Sequence, residues 1–120
     1  MRIAVSTSGQ DLESMVDARF GRCSYFLVAD TETGECHAVS NGVNLNSAQG
    51  AGIQAAQKVS GQGVEAVITG HCGPKAFRVL RAAGIKVYSG GEGTAAQALE
   101  KFKQGLLEEA QTADVEGHWS

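Results

Sequence analysis

Residues 65–74 read EAVITGHCGP, and this stretch decides the fold. Residues 65–69 (EAVIT) are a short β-favouring run that stops at Gly70. After His71-Cys72-Gly73 comes Pro74, which suits the first position of a helix because its missing N–H would have no partner there. The helix it opens carries Ala76, Phe77, Leu80 and Ala83 at three- and four-residue spacing and stops at Gly84. Residues 85–89 (IKVYS) then form another strand, ending at Gly90-Gly91. A strand, a helix and a strand in this order make a right-handed crossover between parallel neighbours.

The same logic extends outward. Upstream, residues 47–59 place Ala48, Ala51, Ala55 and Val59 on one helical face, and Gly61 and Gly63 end that helix. Downstream, Thr94 with Gln97 three residues on is a capping box, opening a helix to about residue 104 that Gly105 closes. At the N-terminus, residues 2–7 (RIAVST) alternate as a strand, and residues 8–24 are a long polar loop. Residues 25–31 (YFLVADT) and 36–40 (CHAVS) are two strands joined by the Gly34 turn, hence an antiparallel hairpin. The order β-β-β-α-β-α-β-α predicts an α/β fold. Its five-stranded mixed sheet has strand two antiparallel between strands one and three, and three helices pack on its faces.

With 120 residues, 42% of them apolar, the chain suits one core-bearing domain over residues 1–105. That region holds ten Lys and Arg against nine Asp and Glu, whereas residues 106–120 hold four acids and no Lys or Arg. The tail is expected to be acidic and mobile. No basic stripe is present, which argues against nucleic acid. No signal-peptide pattern and no long apolar run is seen, so a membrane is not expected. Cys23, Cys36 and Cys72 are too few and too scattered for a disulfide framework, and fit a reducing cytoplasm.

In open α/β sheets ligands bind beyond the carboxyl ends of the parallel strands. That edge should gather Arg19, Phe20, Gly21, Arg22 and Cys23 before strand two, and Asn41 and Asn44 after strand three. It should also gather His71, Cys72 and Gly73 after strand four, and Gly90 and Gly91 after strand five. All three helix N-termini point there, so the edge should favour an anion, with Arg19 and Arg22 adding positive charge. Phe20, Val43 or Leu45 would supply apolar cover. Cys36 falls at the opposite end, His37 should face solvent, and His118 and Trp119 lie in the tail. There is no C-x-x-C or H-x-x-x-H, so a structural zinc site is not expected.

Two other readings compete. A nuclease would need clustered carboxylates for two metal ions, and strand one offers Ser6 while Asp30 lies at the far end of strand two. A Cys72–His71 thiol enzyme lacks an orienting acid, although a helix N-terminus can activate a thiol. Neither favours catalysis.

Several segments together resemble the nitrogenase iron–molybdenum cofactor biosynthesis and carrier family. They are Phe20-Gly21-Arg22; Gly50-Ala51-Gly52 with Ala55-Ala56-Gln57; Gly63-Val64 with Val67-Ile68-Thr69-Gly70; Gly73-Pro74 with Ala76; and Ala83-Gly84-Ile85 with Val87-Tyr88. The resemblance covers about residues 1–105 and implies a ribonuclease H-like fold. It also implies a non-catalytic carrier of an anionic molybdenum-containing metal-sulfide cluster. The family's small stand-alone branch makes a molybdenum–copper cluster the favoured cargo, with the iron–molybdenum cofactor or its precursor as the alternative. It further implies a partitioning-type P-loop ATPase as partner, or, in the alternative, a regulatory module for such an ATPase without any cofactor. Family members usually carry a polar non-Cys residue near Cys23 and Cys72, so these thiols put direct ligation in play.

Overall fold

A computed structural model describes residues 1–42, 51–89 and 92–111. In chain order the elements are β1 (Arg2–Thr7), a single 3-10 turn (Phe20–Arg22), β2 (Tyr25–Asp30), β3 (Cys36–Ser40) and α1 (Ala51–Ser60). Next come β4 (Ala66–Ile68), α2 (Pro74–Ala82), β5 (Lys86–Ser89), α3 (Ala95–Lys103) and β6 (Glu108–Glu109). The sheet runs β3-β2-β1-β4-β5-β6. β2 is antiparallel to both β1 and β3, and β1, β4 and β5 are mutually parallel. The antiparallel hairpin and both crossovers follow the sequence reading.

The sheet has six strands among the described residues, not the expected five. The sixth comes from the tail: Gly105, at φ +73°, ends α3 and turns the chain back. Glu108–Glu109 then pair antiparallel with Tyr88–Ser89, and the Ala110 N–H donates to the Val87 carbonyl at 2.7 Å. Two glutamates carry no strand signal, and only the neighbouring edge makes them one. Residues 112–120, with His118 and Trp119, lie outside the described residues.

Alternation along the strands sends side chains to two cores. Ala4, Phe26, Val28 and Val67 pack with α1 and α2 on one face, through Ala55, Val59, Ala76 and Leu80. Ile3, Val5, Leu27 and Ile68 pack with α3 on the other, through Ala95, Ala98 and Leu99. The capping box of α3 is formed in full: the Gln97 N–H donates to Thr94 Oγ1 at 3.2 Å, and the Thr94 N–H donates to Gln97 Oε1 at 2.9 Å. Thr94→Ala is expected to cost about 1 kcal/mol of stability, read as a lower midpoint in urea unfolding at unchanged slope.

Candidate functional site

Strand register brings one edge of the sheet together. Thr7 lies opposite Tyr25, which lies opposite Ser40, and Val5, Ile68 and Tyr88 align across β1, β4 and β5. The carboxyl ends of β1, β3, β4 and β5 therefore meet the start of β2. A buried polar layer floors this edge. Ser6 Oγ donates to the Asp17 carbonyl at 2.7 Å and lies in hydrogen-bond contact with Thr69 Oγ1 at 2.8 Å, while Thr7 Oγ1 donates to the Gly9 carbonyl at 2.8 Å.

Above that floor, the two segments expected to form a rim are joined backbone to backbone. The His71 N–H donates to the Ala18 carbonyl at 2.6 Å, and the Phe20 N–H donates to the His71 carbonyl at 3.1 Å. Only glycine permits this approach at position 70, because a Cβ there would lie 2.6 Å from Ala18 Cα. A second close contact joins the 3-10 turn to α1: a Cβ on Gly21 would lie 2.9 Å from Gly52 Cα. Asn41 ties β3 into the same corner. Its Nδ2 donates to the Cys23 carbonyl at 2.9 Å and the Gly21 carbonyl at 3.4 Å, and its backbone N–H donates to Ser24 at 2.9 Å.

Not every expected contributor faces this corner. The α3 N-terminus is already occupied, and it lies on the opposite sheet face. Besides the capping box, the Ala95 N–H donates to the Ser14 carbonyl at 2.8 Å, and the Ala96 N–H donates to the Leu12 carbonyl at 3.0 Å. Among the described residues, this leaves the N-terminus of α2 and the Ala51–Gly52 start of α1 beside the rim. That of α2 has Gly73 as N-cap with no side-chain cap, and the first turn of α1 holds no acid. Asn44, Gly90 and Gly91, like Val43 and Leu45, lie outside the described residues.

Phe20 does not offer its ring to a ligand. It is fully buried in the α1/α2 core, its ring centroid 5.2 Å from that of Phe26. The thiols are also inside. Cys23 is fully buried, with Sγ 3.3 Å from the Phe20 carbonyl and 3.8 Å from Asn41 Nδ2, and Cys72 is 3% exposed. Burial, with Asp17 second, pushes the Cys23 thiol far above the ordinary thiol range. The rim's cations differ as well. Arg19 is exposed and its Nε lies 3.5 Å from Asp17 Oδ1, whereas Arg22 is half-buried. Asp17 was invisible to pattern reading, although Asp-x-Arg is the spacing of an Asx turn, which it makes: Oδ1 accepts the Arg19 N–H at 2.9 Å. Cys36 and His37 are exposed, and Cys36 pairs with Ala29 toward the far end of the sheet, as expected.

Glycine turns and helix N-termini gathered on one edge of an α/β sheet form the kind of arrangement in which backbone N–H groups favour anions. The chain belongs to the dinitrogenase iron-molybdenum cofactor family, whose model matches residues 1–105. It is similar to the apo form of the orange protein from Desulfovibrio gigas, at 42% identity over 95% of this chain and 96% of that one, with a TM-score of 0.91. It is also similar to a Thermotoga protein of the DUF35 family, at 36% identity over 95% and 98% of the two chains, TM-score 0.76. An uncharacterised protein of Methanocaldococcus jannaschii is 32% identical over 74% of this chain and 77% of its own length.

The buried thiol carries a pH signature. Unfolded Cys23 ionises near ~8.5, while native Cys23 stays protonated well above that. In that window the unfolded chain binds fewer protons, so this contribution to stability is kept below about pH 8 and lost as pH rises, by about 1.4 kcal/mol per unit. Urea unfolding of the wild type and Cys23→Ala across roughly pH 8 to 10 should show the wild type falling more steeply. Parallel curves would mean that Cys23 does not stay neutral.

Proposed function

We propose that this chain binds and carries an anionic molybdenum-containing metal-sulfide cluster, without a covalent bond to it and without catalysis. A molybdenum–copper cluster is the favoured cargo, with the iron–molybdenum cofactor or its precursor as the alternative. The observation that carries this reading is the joined rim. Segments 19–23 and 70–74 meet beside the N-termini of α1 and α2, with Arg19 and Arg22 on the first segment. Such a rim suits a multiply charged, soft-surfaced anion, because backbone N–H groups, helix dipoles and guanidinium groups hold charge without requiring a fixed coordination geometry. The inward Cys23 thiol, held neutral, favours this mode over thiolate ligation. Likeness to a protein whose structure is described as an apo form supports a removable ligand.

The ribonuclease H-like reading of the fold is supported by the sheet order β3-β2-β1-β4-β5. Residues 17–23 and 70–74 hold one carboxylate, Asp17, and Asp30 pairs with Arg2 at the other end of the sheet, which disfavours two-metal hydrolysis. We place the chain in the cytoplasm, with a partitioning-type P-loop ATPase as partner. Exposed Leu12 and Met15 on the 8–19 loop favour a role as a docking module for such an ATPase as the second reading.

Titration of the protein with tetrathiomolybdate, with and without copper, should give stoichiometric visible absorbance that co-elutes on gel filtration. Arg22→Ala should weaken uptake roughly tenfold. Absence of co-eluting colour in the wild type would defeat the carrier reading. Recovery of a metal-free chain with an ATPase from native extract would favour the second.

A further inference from the structure

The rim has one feature that a simple anion receptor would not need. Among the described residues, the segments gathered at it, residues 17–23, 41–42, 51–54 and 70–74, contain a single carboxylate, that of Asp17. It is not a loose surface charge. Its side chain is 15% exposed, against 51% for its partner Arg19. Its Oδ1 accepts the Arg19 N–H at 2.9 Å and lies 3.5 Å from Arg19 Nε. Its backbone is pinned on both sides: the Asp17 N–H donates to the Ser6 carbonyl at 2.8 Å, and its carbonyl is 2.7 Å from Ser6 Oγ. The two residues that follow it belong to the rim, since Ala18 accepts from His71 and Arg19 bridges to it. Its field also reaches inward, where it contributes to keeping the Cys23 thiol neutral.

A fixed carboxylate at the edge of an anion site does two things. It neutralises the nearer arginine, and it repels the incoming charge directly. Holding the loop does not require this charge, because a carboxamide oxygen accepts the same backbone N–H.

Resting on the carrier reading above, we infer that Asp17 is a built-in brake on anion affinity, which keeps the rim's hold on its cargo below what its cations and helix ends would otherwise reach. The effect is local and electrostatic. It sets how readily the anion leaves and leaves the shape of the site unchanged.

Tetrathiomolybdate is the probe, followed by visible absorbance at low and at high salt. Asp17→Asn keeps the acceptor for the Arg19 N–H and removes the charge. It is expected to bind the probe roughly three- to tenfold more tightly at low ionic strength and to release it more slowly, with most of the gain screened at high salt. Glu100→Gln makes the same change in net charge on α3, on the opposite face, and should bind as the wild type does. The double variant Asp17→Asn, Arg19→Gln keeps the wild-type net charge at the rim and should return to within about twofold of wild type. Equal or weaker binding by Asp17→Asn, where the wild type binds, overturns this inference alone, as does an equal gain in Glu100→Gln. Binding by neither the wild type nor Asp17→Asn overturns the carrier reading and this inference together. Binding by Asp17→Asn where the wild type binds only weakly supports it, and absence of wild-type binding overturns the carrier reading and this inference with it.

Discussion

Two hydrogen bonds hold the rim of this molecule together. They run between the 18–20 segment and His71, and they exist because position 70 has no side chain. Any Cβ there would have to push the 18–20 backbone away. The 3-10 turn would then lose its seat against Gly52, and the Asn41 carboxamide would lose the carbonyls it holds. The rim is therefore a backbone construction, with side chains mostly turned inward to support it. Phe20 and Cys23 anchor it from below, and Asn41 clamps it from the side.

The two faces of the sheet divide the work. The face covered by α1 and α2 presents helix ends to the rim, while the face covered by α3 has its helix end closed by the 8–16 loop. Closing that end with carbonyls of Leu12 and Ser14 uses up N–H groups that would otherwise compete for an anion. The same loop continues into Asp17 and Arg19. A single excursion between β1 and β2 thus removes one positive centre and moderates another, and the remaining attraction is concentrated at one corner.

Much of this was readable in the residues. Pro74 and Gly84 bracket a crossover, Thr94 and Gln97 announce a cap, and the Gly34 turn fixes a hairpin; each is a local rule that the tertiary fold does not override. The convergence of segments 19–23 and 70–74 followed from strand direction alone. What could not be read was where an aperiodic loop sends its backbone. Residues 8–19 carry no period, so neither the occupation of the α3 N-terminus nor the inward placement of Asp17 was visible. Phe20 shows a related limit: an aromatic beside an arginine and a glycine looks like a ligand contact, and only packing against Phe26 reveals it as core. The strand at Glu108–Glu109 owes nothing to propensity and everything to an available neighbour.

That last strand bears on how the chain behaves in isolation. A polypeptide ending at residue 105, where the family's shared region stops, would leave the outer backbone groups of Val87 and Ser89 unsatisfied along an open border. Bare borders of this kind recruit strands from other molecules and seed insoluble assemblies. The short acidic flap closes the border, and its paired negative charges make the new outer margin mutually repellent between copies. Trimming the chain to the shared core would therefore uncover the β5 edge that Glu108–Glu109 now cover.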